Sequence, residues 1–163
     1  MYNASVPVFR RYLRNLRALV SLAATHPDAE TLLHARLAPN MNDFATQVEI
    51  AANFGVRCCG PLAGRPERSG GPFDASFSGL RARIDDVLAF LDALTPGDFD
   101  GAHERIIDDR AGAADLALPG QQFLCEYALP NFFFHLSTAY AILRQAGLPI
   151  GKGDFDGFHS YAG

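Results

Sequence analysis

The chain has 163 residues, 48% of them hydrophobic and 20% charged, with a formal net charge of −4. That length suits one domain able to bury roughly two thirds of the surface its unfolded chain exposes. The composition is that of a soluble globular protein. No stretch approaches the roughly 20 apolar residues that span a bilayer, and the basic residues form no block, which argues against a membrane span and a nucleic-acid footprint alike.

From the N-terminus, Phe9, Leu13, Leu16, Val20 and Ala23 recur at steps of four and three and place one apolar stripe opposite Arg10, Arg11, Arg14 and Arg17. The arginines read as a solvated helix face. They also interrupt the apolar residues too often for a signal peptide, so a cytoplasmic location is expected. Pro7 suits an opening turn and His26-Pro27 a stop, which predicts a first helix from about Pro7 to Ala24.

Asp28 to Arg36 fits a short helix. After Pro39, Phe44, Val48, Ala51 and Gly55 mark a second long helix, started by Asn40 or Asn42 and fading near Cys58 to Gly60, before Pro61. The Gly- and Pro-containing stretch from Pro61 to Pro72 reads as an exposed connection. Ser76 or Asp74 then caps a third long helix with the cleanest apolar stripe: Phe77, Leu80, Ile84, Val87, Leu91 and Leu94. Pro96-Gly97 stops it.

Between Gly101 and Pro119, Arg105-Ile106-Ile107 and Ala114 to Leu118 flank Asp109-Arg110-Ala111-Gly112, a pattern that predicts a small hairpin leaning on the helices. The last helix runs from near Gly120 to Gly147. Pro130 removes the bond to the Glu126 carbonyl, so the helix kinks or restarts there. The irregular tail, 148–163, holds Phe155, Phe158 and Tyr161 and is expected to pack across the helices or against a partner subunit. The fold class is therefore all-α, a single antiparallel four-helix bundle over residues 1–163 with a small hairpin before the last helix.

Chemistry-bearing residues are few. Asn131 and His135 lie four apart on the last helix, with Thr138 and Ile142 continuing the line; on the second long helix Asp43 and Gln47 are again four apart. An imidazole in a bundle interior serves as base, ligand or hydrogen-bonded core residue, and Asp43 serves equally as a carboxylate neighbour or a helix cap. Ser137, Thr138 or Cys125 paired with His135 would need a nucleophile-base geometry and an oxyanion site that spacing does not supply. Cys58, Cys59 and Cys125 match neither a disulfide framework nor a zinc motif and read as reduced, mostly buried thiols. Phe132-Phe133-Phe134 spans about 200° of helix at roughly 100° per residue and should be contacted from more than one side.

The run Ala128-Leu-Pro-Asn-Phe-Phe-Phe-His135, leading to Ala139-Tyr-Ala-Ile-Leu-Arg-Gln-Ala-Gly147, resembles an uncharacterised bacterial domain family within the DinB-like superfamily. The resemblance extends from Val8-Phe9 to Ile150-Gly-Lys-Gly-Asp154. It implies a four-helix bundle, a homodimer, and a divalent-metal site of three histidines, one on the second long helix and two on the last; some members are thiol transferases. Matched at Leu143-Arg144 and Gly147, the two last-helix positions fall on Asn131 and His135, and no histidine lies between Asn40 and Gly60. One ligand of three remains, so no cofactor is expected. A divalent metal at His135 is disfavoured, because Asp43, Asn131 and His135 would make a weak, oxygen-rich substitute.

The resulting expectation is a cytoplasmic binding or interaction protein with a degenerate metal site, a homodimer with a small-molecule ligand in the bundle. Its candidate ligand-binding residues are Asp43, Gln47, Asn131, His135 and Thr138. The alternative is a thiol-dependent transferase or hydrolase with His135 as catalytic base or retained ligand.

Overall fold

The computed structural model describes residues 1–65 and 74–160. Most of the expected connection after Pro61, and Tyr161 of the tail, lie outside the described residues. The protein is mostly helical with one small antiparallel sheet.

The first helix, α1, is Tyr2–Ala23 and buries Phe9, Leu13, Leu16 and Val20 on the expected stripe. It begins five residues before Pro7, which sits inside it rather than at its start. The proline still lies within the early turns, where little of the hydrogen-bond ladder precedes it. After the short α2, Ala29–Leu33, comes α3, Phe44–Leu62. Neither Asn40 nor Asn42 caps α3: Asp43 does, accepting from the Thr46 N–H at 3.0 Å. The helix also runs past Gly60 and takes Pro61 into its last turn.

Ser76, not Asp74, caps α4, Phe77–Asp92, by accepting from the Gly79 N–H. Gly55 lets α3 and α4 approach closely, since a Cβ there would lie 2.7 Å from Val87 Cγ1. A 3-10 turn, Pro96–Phe99, leads to the hairpin of β1, Ile106–Ala111, and β2, Ala114–Pro119. Asp109 pairs with Leu116 and Ile107 with Leu118 across it, and Gly112 takes the positive φ its turn requires. Ile107 is only 2% exposed and anchors the hairpin to the helical core.

The last helical stretch is continuous but changes pitch. It opens as α5, Gly120–Gln122, widens into a π-helical segment over Phe123–Ala128, and tightens again as α6, Leu129–Gln145. Pro130 is the second residue of α6, so the widened turn falls where its missing donor would otherwise break the ladder. Gly147, at φ +90°, ends the helix.

The tail forms α7, Lys152–Asp156, against α1. Phe155 packs edge-on to Tyr12 and Tyr140, and its carbonyl accepts from Asn15 Nδ2 at 3.0 Å. Four long helices, α1, α3, α4 and α6, share the core, with α3 packed on both α6 and α4. The other helical pieces make the helix count larger than the four expected. No helix among the described residues is long and apolar enough to cross a membrane.

Candidate functional site

Helices α3 and α6 pack so that the start of α3 reaches the first half of α6, where His135 lies. Gln47 is one turn beyond the Asp43 cap and only 1% exposed. Its Nε2 donates to the Asn42 carbonyl at 3.2 Å, which turns Oε1 toward α6. There Oε1 lies 2.7 Å from His135 Nδ1. An amide oxygen only accepts, so the imidazole carries its proton on Nδ1 and presents a lone pair at Nε2.

Phe54, two turns further along α3, stacks on the His135 ring at 6.2 Å and 23°. Phe134 meets the same ring edge-on at 5.2 Å while staying 56% exposed. Burial pushes the His135 pKa below its ordinary value of 6.5, so the ring is neutral at physiological pH.

The other candidates use their polar atoms elsewhere. Asp43 accepts from the Thr46 N–H and hydroxyl and, through Oδ2, from Arg36 at 3.1 Å. Burial raises its pKa, but the Thr46 bonds and the Arg36 cation outweigh that and hold the carboxyl below its ordinary range. Asn131 donates to the Tyr127 carbonyl at 2.7 Å, and Thr138 to the Phe134 carbonyl at 2.7 Å. Both are short side chains bonding back to their own helix, and they leave Gln47 and His135 as the pair that meets.

A divalent ion needs three or four convergent donors. Among the described residues no group of three His, Cys, Asp or Glu side chains is placed to hold one. Around His135, Gln47 Oε1 is taken up by Nδ1–H, which leaves the Nε2 lone pair as the strong donor. The described residues do not fit a resident metal.

A second constellation had no sequence signal beyond an isolated cation on an apolar helix. Arg57, one turn past Phe54, donates from Nε and Nη2 to Asp109 of β1 at 2.7 to 3.0 Å, from Nη2 to the Tyr127 hydroxyl at 2.9 Å, and to the Arg110 carbonyl. Its guanidinium also lies 5.2 Å from the Phe54 ring centroid. Burial and the Asp109 carboxylate raise the Tyr127 pKa, against the opposing pull of Arg57. The hairpin is thus tied to the residues that pack on His135. An open cleft of about 1400 Å³ lies beside it, lined by Asn53, Val56, Arg57, Phe90 and Asp109 among others; His135 is not in its wall.

The three cysteines are free. Cys58 and Cys59 are buried and Cys125, in the π-helical segment, is exposed. Burial, with the neighbouring Cys59 thiol, pushes the Cys58 pKa well up, which disfavours a reactive thiolate. Of the three consecutive phenylalanines, Phe132 is fully buried, Phe133 packs edge-on to Tyr12, and Phe134 stands in solvent.

A protein-family model described as a domain of unknown function, DUF1993, matches residues 1–156. A crystal structure described as a DinB family member protein from Shewanella denitrificans superposes with a TM-score of 0.83 at 30% identity, covering 99% of this chain and 94% of that one. No curated protein matches the chain.

Proposed function

The chain belongs to the DUF1993 family, with a DinB-like domain along its length, and on that premise we propose that it is a small-molecule-binding protein whose ligand is engaged by His135. The observation that carries this reading is the Gln47–His135 bond. It presents a neutral imidazole with Nε2 as acceptor, beside the Phe54 and exposed Phe134 rings. Such a site suits a compact ligand with one O–H, N–H or S–H donor and an apolar body. The four long helices are the DinB-like bundle that frames it, and the metal site of that fold is degenerate here.

One observation favours an enzymatic second reading. A histidine kept neutral by burial is poised to accept a proton at Nε2. In that reading His135 is the base that activates a thiol or water in a transferase or hydrolase. The proposal also places the protein in the cytoplasm, consistent with three free thiols, and makes it a homodimer, with exposed Phe134 as apolar contact surface.

The test screens untagged protein against a fragment set by ligand-detected NMR, repeats the hits on His135→Ala, and measures bound metal. Donor-bearing hits lost in the variant, with no stoichiometric metal, support binding. Hits unaffected by the variant, or one metal ion per chain, overturn it. Turnover of a thiol or ester substrate lost in His135→Ala would select the enzymatic reading. Light scattering checks the dimer.

A further inference from the structure

The four arginines of α1 are matched unequally. Arg17 is held in a two-point pair with Asp85, through Nε and through Nη2 at 2.9 Å. Asp92 serves both Arg10, at 2.5 Å, and Arg14, at 3.8 Å. Among the described residues Arg11 pairs with no carboxylate; its guanidinium carbon lies over the Phe158 ring, 3.9 Å from the centroid. A cation–π contact occupies the face of a guanidinium and leaves its in-plane N–H donors unused.

Arg10, Arg11 and Arg14 border one concavity. Pro7, Arg10, Arg11, Arg14 and Asn15 line a hollow of about 380 Å³ on the outer face of α1. Among the described residues Arg14 has no hydrogen bond beyond its long contact to Asp92, and Arg10 meets Asp92 through its terminal Nη2. Among the described residues, Arg10 Nε is a buried side-chain donor with no acceptor. Among the described residues, Asp92 is therefore the one carboxylate paired within this trio of cations. The carboxylates of neighbouring α7 are engaged within the tail, Asp154 accepting from the Gly151 N–H at 2.7 Å and Asp156 from the Phe158 and His159 N–H groups at 2.8 and 3.1 Å, and among the described residues neither pairs with these arginines. Asn15 is committed to the Phe155 carbonyl.

We infer that this hollow is a binding site for a phosphate monoester, its oxyanion gripped by the Arg11 and Arg14 forks with Arg10 behind them. Planar forks of this kind match phosphate oxygens in pairs, and the size suits a compact head group. The inference accounts for Phe158. That ring is 68% exposed and buries little, but it holds the Arg11 guanidinium over its face and so prepares the fork. The site is independent of His135.

Full-length protein titrated with inorganic phosphate and with phenyl phosphate, followed through the arginine Nε–H signals, tests it. Saturable shifts at Arg11 and Arg14 are expected. The double variant Arg11→Gln, Arg14→Gln should weaken binding at least about tenfold, and Arg11→Lys, which keeps the charge and loses the fork, about threefold or more. Arg17→Gln should change affinity less than about twofold, because Asp85 already engages that side chain. Shifts that stay linear, or an equal loss in Arg17→Gln, would show diffuse surface charge and overturn the site. Binding to phosphatidic acid vesicles that phenyl phosphate fails to displace would assign the surface to a membrane headgroup instead.

Discussion

Gln47 Oε1 and His135 Nδ1 meet at 2.7 Å although 88 positions separate them in the chain. The bond depends on a second one, from Gln47 Nε2 to the Asn42 carbonyl just outside α3, which orients the amide. A loop carbonyl thereby selects the tautomer of a histidine on another helix.

The tautomer can be read directly. In imidazole ¹⁵N spectra His135 should show a protonated Nδ1 and an unprotonated Nε2 above pH 7. Gln47→Glu puts a carboxylate against Nδ1 and should raise the His135 pKa by about 1 unit or more. An unchanged pKa in that variant would break the link between the two residues.

Stability should respond to the same ring. The folded-state pKa of His135 lies below its unfolded value of about 6.5, so the unfolded chain binds the proton first. Its contribution is fully present above pH 6.5 and is lost as pH falls through the folded value. Urea midpoints for the wild type should decline below about pH 6.5, and His135→Gln should flatten that decline. The lowered carboxyls of Asp43 and Asp156 act in a separate window, losing their stabilisation as pH drops below 3.8 and through their folded values.

Docking of the hairpin should hinge on one ion pair. Arg57→Met removes the partner of Asp109, whose side chain is 12% exposed, and leaves a largely buried carboxylate without its guanidinium. A loss of about 1–3 kcal/mol is expected, with faster amide exchange in β1 and β2 and perturbed Phe54 and His135 ring signals. Exchange confined to other elements would count against this role.

Close packing of α3 on α4 should tolerate no added methyl. Gly55→Ala places a Cβ 2.7 Å from Val87 Cγ1 and 3.3 Å from Leu13 Cδ1. Overpacking of that kind costs about 1–3 kcal/mol, more than the better helix propensity of alanine returns. Thermal unfolding checks it: a raised melting temperature would mean the helices separate easily.

The helix cap gives a local test. Asp43→Ala removes the acceptor for Thr46 and should cost about 1 kcal/mol, while leaving the His135 tautomer intact. A changed tautomer would place Asp43 in the His135 site after all.

Much of the architecture was legible because it depends on local periodicity. The stripes of Phe9, Leu13 and Leu16, of Phe44, Val48 and Ala51, and of Leu80, Ile84 and Leu91 are the buried faces of α1, α3 and α4. The hairpin could be read from Gly112, which supplies a conformation other residues resist, although Asp109, Arg110 and Ala111, expected in the turn with it, lie in β1. Helix ends were less legible. Pro7 and Pro61 look like boundaries, yet both lie inside helices whose apolar faces remain buried beyond them, and tertiary packing outweighs one missing hydrogen bond.

What the sequence alone determined is therefore the helical frame and a short list of polar residues on facing stripes. Which of them meet was decided by the tertiary structure. Asp43, Asn131 and Thr138 have the same spacing logic as Gln47 and His135, but each finds a partner within its own turn, as short polar side chains do. Gln47 is long enough to reach across the α3–α6 crossing, and Arg57 reaches further still, to Asp109 and Tyr127. Those contacts join residues 52 to 88 positions apart, and local periodicity carries no signal over such distances.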